Sequence, residues 1–272
     1  MKHSMATITG IANIEDIAAR TKLARLTTGM WRATRQHRAE TAAENTRHNT
    51  NAARVLVRVS DHPALSDLTK LHAAAYQRHK RLTLPTVQDG LRILPAGREF
   101  EHADEMRAFA DKHAALVAAF LADYDDERAQ APVRLNGLYD ASMWPSHSDV
   151  ERRFTFGTQY LPTPTAGAWA DFLAASTEAA EAELRERLTE ALTRVRDRCK
   201  SDGKLYASVF DSVRDLAALV PDLDLTGDYA PVVAAMAPLT TVSADSIRDD
   251  ETARAETART AASILSVLGG IK

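Results

Sequence analysis

The feature that most constrains the fold is a run of apolar residues at three- and four-residue steps between residues 168 and 200. Nine side chains follow this spacing: Trp169, Phe172, Leu173, Ala180, Leu184, Leu188, Leu192, Val195 and Cys199. Such spacing places them on one face of a long helix. The turn Ser-Asp-Gly at 201–203 and an apolar stripe from Leu205 to Val220, stopped by Pro221, predict a returning helix. The pair is expected to form an antiparallel hairpin with coiled-coil character.

Helical patterns also dominate the rest of the chain. Stripes predict helices from Pro63 to about Leu82, from Met106 to Tyr124 with a limit at Pro132, and from Ser243 to Gly269. Residues 11–59 show a weaker helical pattern, in which much of the apolar seam is Thr, Asn and His. Alanine is abundant and aromatic residues make up only 6%, a composition that suits closely packed helices.

Two stretches interrupt the helices. Asp89-Gly90, between Val87 and Leu91, is a strong signal for a tight β-turn, because both positions accept positive φ. The sequence RRFTFGTQYLPTP at 152–164 alternates aromatic and small polar residues, as an extended strand does. A lone strand leaves its backbone groups unpaired. The prediction is therefore a mainly α protein of antiparallel helical hairpins and coiled coil, with a small antiparallel β element that pairs about 84–94 with 153–161.

Charge is distributed unevenly over three predicted regions. The expected division is a basic helical arm at 1–60, a helical-hairpin core with the small sheet at 61–221, and a C-terminal helical segment at 222–272 that packs on the core. Between Arg20 and Arg58 the sequence has nine Lys and Arg but only two acidic residues. Between Asp222 and Glu256 it has eight acidic residues but only two arginines. The two ends can pair with each other, within or between chains, or the basic end can bind a partner.

Several classes of protein are excluded by composition. The single cysteine, Cys199, excludes an internal disulfide and a multi-cysteine zinc site. The longest apolar run is about nine residues, at 114–122, where a membrane span needs ~20. The N-terminus has no apolar segment of the kind found in signal peptides. A cytoplasmic protein of a bacterial host, without membrane contact, is expected.

Motifs for catalysis and for cofactor binding are weak. Residues 222–233 begin like a calcium-binding loop, but Val233 occupies the position of the bidentate Glu, so a helix-capping turn is expected. His72 and His79 share a helix face, which a half-buried polar edge explains more simply than a metal site does. His113 lies in an apolar stripe and is most simply a core histidine. Helix capping explains the cluster of His147, Asp149 and Glu151 as well as metal binding does. No metal, cofactor or enzymatic activity is predicted.

The strongest candidate for a binding site is the basic arm. Its residues are Arg25, Trp31, Arg32, Arg35, Arg38, Arg47 and Arg54. Arginines neutralise phosphates and an exposed Trp stacks on bases, which would suit DNA or RNA. The alternative is that these residues contact the acidic C-terminal segment of the same chain or of a neighbouring one.

Three stretches in order resemble an uncharacterised family of phage and plasmid proteins: DGLRILPAGREF, then FADKHAALVAAFLADYDDERAQ, then MWPSHSDVERRFTFGTQYLPTP. The resemblance covers residues 60–200 and includes Gly90–Leu94, Phe120–Asp125, Trp144-Pro145 and Phe154–Pro164. Trp144 departs from the Tyr that is commoner in the family. Members are often encoded beside a MoxR-type AAA+ ATPase and a cobalt-chelatase-like von Willebrand A-domain protein, so the resemblance implies a mobile-element origin and an adaptor role beside a AAA+ motor. It supplies no catalytic residues.

Two functions are therefore expected. The first is a non-enzymatic assembly or adaptor protein of a phage or mobile element, which forms homo-oligomers and works with a AAA+ ATPase. The second is a nucleic-acid-binding accessory protein that uses the basic arm.

Overall fold

The computed structural model describes residues 14–164, 169–200 and 204–271. Within them lie ten α-helices: α1 Ile14–Arg20, α2 Arg38–Arg47, α3 Pro63–Leu82, α4 Glu99–Leu135, α5 His147–Glu151, α6 Trp169–Lys200, α7 Ala207–Leu223, α8 Ala230–Thr241, α9 Ala244–Ile247 and α10 Glu251–Gly269. The strands are β1 Thr21–Gly29, β2 Thr34–Gln36, β3 Leu56–Arg58, β4 Leu84–Pro85, β5 Arg92–Pro95 and β6 Thr155–Pro162. The protein is thus mainly helical with a small amount of sheet, as predicted.

The described residues form two compact units. Unit 1 contains residues 14–25, 80–100, 160–164, 169–200 and 204–271, and unit 2 contains residues 26–79 and 101–159. The chain passes between the units inside β1, α3, α4 and β6. This division differs from the predicted regions, since each unit collects segments that are distant in the sequence.

Unit 1 is built on the long helix that the sequence predicts. The apolar face of α6 packs against α7 and α10, and α8 packs against α7 and α10. Leu184, Leu188 and Leu192 of α6 are fully buried in this core. The hairpin and coiled-coil arrangement of the helices stays a prediction.

Two predicted helix ends in unit 1 are corrected by the structure. Pro221 lies inside α7, which continues to Leu223. The last helix does not run from Ser243 without a break: Ser243 caps the short α9, and Asp250 accepts a hydrogen bond from the backbone N–H of Ala253 to cap α10. Two capping side chains in one polar stretch allow two helix starts. The ending at Gly269-Gly270 is confirmed.

The predicted β element is confirmed in part. Leu84 pairs antiparallel with Ile93 across the hairpin, and Gly90 has a φ of 76° in its turn. However, the hairpin does not pair with 153–161, because the strand order is β4-β5-β1-β6. β1 lies between them and pairs antiparallel with β5, Thr21 opposite Pro95.

The predicted helical arm at 1–60 is wrong for most of its described length. Only 14–20 and 38–47 are helical there, and 1–13 lie outside the described residues. Thr21, Leu23 and Ala24 of β1 are buried. Threonine is stiff at χ1 and favours strands, so burial in a sheet outweighs the weak helical pattern here.

Unit 2 is held together by an aromatic core. Trp31, Phe120 and Tyr124 are almost completely buried together with Trp144 and Phe154. Phe120 and Tyr124 come from α4, which continues through Pro132 to Leu135 instead of ending at the proline. A proline in the last turn removes only one backbone donor. The start of α5 is capped by Ser146, whose side chain accepts a hydrogen bond from the backbone N–H of Asp149.

No helix in the part of the chain that the structure describes has both the length and the apolar character needed to cross a membrane.

Candidate nucleic-acid interface

A two-stranded antiparallel ribbon in unit 2 carries much of the basic arm. β2 and β3 pair with Thr34 opposite Arg58 and Gln36 opposite Leu56. Backbone hydrogen bonds extend the pairing at both ends, from His37 N–H to the Val55 carbonyl (2.9 Å) and from Val59 N–H to the Ala33 carbonyl (2.7 Å). The ribbon, defined here as residues 32–37 with 54–60, is therefore longer than β2 and β3 themselves.

The two faces of the ribbon differ sharply in burial. Alternate residues face opposite sides of a strand. One side packs into the core of unit 2 through Ala33, Val57 and Val59. The other side is exposed and carries Arg32, Thr34, Gln36, Arg54, Leu56 and Arg58. Arg38, the exposed first residue of α2, follows directly in the chain. This exposed side together with Arg38 has four arginines and is called the arginine face below.

The four arginines of this face differ in their ion pairs. Arg58 pairs with Asp61 at 3.1 Å, and this ion pair is well exposed. Among the described residues, Arg32, Arg38 and Arg54 form no ion pair. Hydrogen bonds from Ser142 lower the pKa of Asp140, and the positive charge of nearby Arg38 lowers it further. The arginine face therefore keeps most of its charge available to an external anion.

A fifth arginine lies on the core side of the ribbon. The guanidinium of Arg35 sits 5.7 Å from the ring centre of Trp31 and donates to the Thr34 carbonyl at 2.9 Å. Burial lowers the pKa of Arg35, and the positive charge of Arg153 lowers it further. Two guanidinium groups therefore repel each other beside the ribbon, which strengthens the positive potential there.

The structure corrects the predicted role of Trp31. Its side chain is 1% exposed and contacts Phe120, Tyr124 and Trp144 at ring-centre distances of 5.7 to 5.9 Å. A side chain this deeply buried provides no exposed surface on which a base stacks. Trp31 instead supports the ribbon from below.

The other predicted binding residues are not part of the ribbon. Arg25 lies on the part of β1 that belongs to unit 1. Arg47 is on α2 and pairs with Glu44 at 2.5 Å. Sequence reasoning missed Arg58 and the polar pair Thr34 and Gln36. The available signal was the alternation of exposed and apolar residues in WRATRQ and RVLVRV, which was interpreted as helical.

A cleft of about 980 Å³ opens at the end of the ribbon. It is bounded by residues 28–34, by 58–62 and by the first half of α3. Arg32, Thr34 and Arg58 line this cleft and also belong to the arginine face. Lys70 and His72 of α3 line it as well.

The cleft contains buried polar atoms that lack a partner. Within the described residues, the indole N–H of Trp31 and the Nε2 atom of His72 have no hydrogen-bond partner. His72 stacks on His113 with a ring-centre distance of 5.2 Å, and Phe156 lies beside both. Burial lowers the pKa of His72. Burial and the charge of His72 lower the pKa of His113. A hydrogen bond with the Gly29 backbone opposes this by raising the pKa.

The remaining sequence motifs have structural partners. Asp224, in the calcium-like loop, accepts from the backbone N–H groups of Gly227 (2.7 Å) and Tyr229 (2.9 Å), as a capping turn does. Asp149 accepts from Ser146 at 2.6 Å. Burial raises the pKa of the Cys199 thiol. Among the described residues, no three His, Cys, Asp or Glu side chains form a group able to hold a metal ion.

Comparison with protein-family models, with curated proteins and with solved structures gave no match to this chain.

Proposed function

We propose that the protein is a nucleic-acid-binding accessory protein whose arginine face contacts the phosphate backbone. The observation that carries the proposal is the alternation of the ribbon, which exposes Arg32 and Arg54 on one side, with exposed Arg38 directly after it. These three arginines form no ion pair with the residues that the structure describes. A two-stranded ribbon is narrow enough to enter the major groove of a duplex. Arginines neutralise phosphates, and each contact releases counterions.

The arrangement also supplies groups that read bases. Thr34 and Gln36 are exposed on the same face as the arginines. Gln offers a donor and an acceptor together, the pattern that adenine presents in the major groove. The arginines thus fix the position of the nucleic-acid backbone on the ribbon, and the side chains of Thr34 and Gln36 face the bases.

The test is a binding titration of labelled DNA and RNA oligonucleotides by fluorescence anisotropy. The variant Arg32→Gln/Arg38→Gln/Arg54→Gln removes three charges from the arginine face and is expected to weaken binding roughly 100-fold at low salt. A control with the same charge change, Arg107→Gln/Lys112→Gln/Arg128→Gln, alters exposed residues of α4. It should retain most of the affinity. Equal loss in both variants, or no binding by the unmodified protein, would contradict the proposal.

A second candidate is the assembly or adaptor role, with self-association and a AAA+ ATPase as partner. It is favoured by large apolar side chains that are left exposed, Phe100 in unit 1 (83%) and Val133 in unit 2 (88%). Phenylalanine is enriched at protein–protein interfaces, and burial of an exposed apolar side chain against a partner stabilises the contact.

A further inference from the structure

The exposed side chains of the ribbon form cross-strand rows. Thr34 lies opposite Arg58, and Gln36 lies opposite Leu56. All four residues are exposed, and Leu56 is 64% exposed. Directly opposed residues of an antiparallel pair have Cβ atoms about 4.5–5.5 Å apart. The side chains of Gln36 and Leu56 are therefore close enough to contact the same group on a partner.

The row of Gln36 and Leu56 is uncharged and lies between arginines. Arg54 and Arg58 lie two residues before and after Leu56, on the same side of the strand. Each is ~6.6–6.8 Å along the strand from Leu56. Arg54 forms no ion pair within the described part of the chain, and Arg58 pairs with exposed Asp61 at 3.1 Å. Cations around an uncharged pair fit a DNA groove, in which phosphates border uncharged base edges.

The Gln36 amide is held in place and is still able to bind. Its Nε2 atom donates to the Thr41 hydroxyl at 3.4 Å. The amide nitrogen has a second hydrogen, and the amide oxygen is an acceptor. A donor and an acceptor in one plane match the N7 and N6 groups that adenine presents in the major groove.

Leu56 places an apolar group beside this amide. A single exposed leucine is ordinary on a protein surface. Leu56 is distinguished by its position, because it is the one apolar member of the arginine face and lies opposite Gln36. An A·T base pair presents the thymine 5-methyl group in the same groove as the adenine edge. Contact between leucine and this methyl group removes both from water, which is favourable.

We propose that the row of Gln36 and Leu56 reads an A·T base pair in the major groove of B-form DNA. The inference rests on the proposed function, since the arginines hold the phosphate backbone. Gln36 bonds to the adenine edge, and Leu56 contacts the thymine methyl group. The major groove of B-form DNA admits a two-stranded ribbon, whereas that of A-form RNA is too deep and narrow for side chains to read. Duplex DNA is therefore preferred over duplex RNA.

The experiment uses duplexes of alternating A·T sequence, because every register of the ribbon then meets A·T pairs. Fluorescence anisotropy compares thymine DNA, the same DNA with uracil in place of thymine, and the corresponding RNA duplex. We expect the uracil DNA to bind about fourfold more weakly, which is the effect of one methyl group left unburied. The RNA should bind at least about tenfold more weakly than thymine DNA, because the hydrogen bonds to adenine are lost as well.

Two variants assign these effects to their side chains. Leu56→Ala should bind thymine and uracil DNA equally. The control Leu138→Ala, at another exposed leucine of unit 2, should keep the fourfold difference. Replacement of adenine by 7-deazaadenine removes the N7 acceptor. It should weaken binding of the unmodified protein about fivefold and leave binding of Gln36→Ala unchanged.

The outcomes separate the two proposals. The base-pair contact is overturned, and the arginine face is left standing, if RNA binds as tightly as thymine DNA, if thymine and uracil DNA bind equally, or if the thymine preference survives in Leu56→Ala. Binding of single-stranded oligonucleotides but of no duplex has the same meaning. No binding of any oligonucleotide overturns both.

Discussion

Two buried histidines of unit 2 are in contact through their ring nitrogens. Nδ1 of His79 lies 2.8 Å from Nε2 of His102, and both side chains are almost fully buried. Burial lowers the pKa of His102 to about 4, with Glu105 opposing and Arg78 assisting the effect. Arg78 itself pairs with Glu101 at 2.9 Å and with Glu105. The folded protein therefore keeps His102 neutral at pH values where the unfolded chain protonates it.

The pKa of His102 predicts acid sensitivity. Because it is lower in the folded state than in the unfolded chain, the stabilisation is complete above pH 6.5 and is lost as the pH falls towards 4. The contribution of this residue to the free energy of unfolding should fall by about 3 kcal/mol between pH 7 and pH 4. Urea titrations of His102→Gln should show a smaller decrease over this range than the unmodified protein. His48→Gln, at an exposed position, should show the same decrease; identical slopes in all three would contradict the prediction.

Gly29 is required where β1 approaches β6. A Cβ atom added there would lie 2.5 Å from the Thr155 hydroxyl oxygen and 3.2 Å from the Arg153 carbonyl oxygen. Gly29→Ala is therefore expected to destabilise the protein by about 1–3 kcal/mol, since a backbone atom cannot move away freely. Gly157→Ala, in the same sheet but with no atom near its added Cβ, should change the stability by less than about 0.5 kcal/mol. Thermal and urea unfolding measure both.

Among the secondary-structure elements, one arginine of α6 caps the C-terminal end of α3 by donating hydrogen bonds to its last carbonyl groups. Arg187 donates to the carbonyls of Lys80 (2.7 Å), Thr83 (2.9 Å) and Arg81 (3.2 Å) and pairs with Glu183. The last carbonyls of a helix lack partners within the helix. A planar guanidinium with several donors satisfies them together.

Replacement of Arg187 by lysine should therefore be unfavourable despite the retained charge. We expect Arg187→Lys to lower the free energy of unfolding by about 1–3 kcal/mol, because one ammonium group does not replace the fork of donors. Arg194→Lys, an exposed pair with Glu190 on the same helix, should change it by less than about 0.5 kcal/mol. Similar values for the two variants in urea titrations would show that the contacts of Arg187 are unimportant.

The elements that the sequence predicted well are those with strong periodicity. α6, α3 and the 84–95 hairpin lie where apolar spacing and Asp89-Gly90 placed them. The errors cluster in residues 21–58, where β1 and the ribbon were interpreted as helix. Their short strands alternate over only a few residues, and their pairing partners are distant in the sequence, so the local alternation alone did not distinguish them from a weak helical pattern. Arg32, Arg38 and Arg54 of the site were predicted from the sequence and Arg58 was missed, because their arrangement on the ribbon depends on that pairing.

At the scale of the whole molecule, the net charge of −3 conceals the basic surface. The segment 26–79 of unit 2 has eight Lys and Arg and four acids, whereas 101–159 has six Lys and Arg and eleven acids. Such segregation gives a local positive potential on a protein that is acidic in total.

Self-association is the prediction that belongs to the second candidate function. Light scattering should give a mass above the 29.8 kDa of one chain, because association would remove the exposed apolar side chains of Phe100 and Val133 from water. Phe100→Ser and Val133→Ser should each lower the apparent mass at a given concentration, while exposed Ala74→Ser serves as the control. A strict monomer at all concentrations would exclude this candidate.

The most direct test of the arginine face is the salt dependence of oligonucleotide binding. The logarithm of the association constant should fall linearly with the logarithm of the salt concentration, with a slope of about −0.9 for each phosphate neutralised. We predict that Arg32→Gln/Arg38→Gln/Arg54→Gln makes this slope shallower by about 3, while the α4 control variant leaves it unchanged. A slope near zero for the unmodified protein, or one unchanged in the arginine variant, would contradict the account.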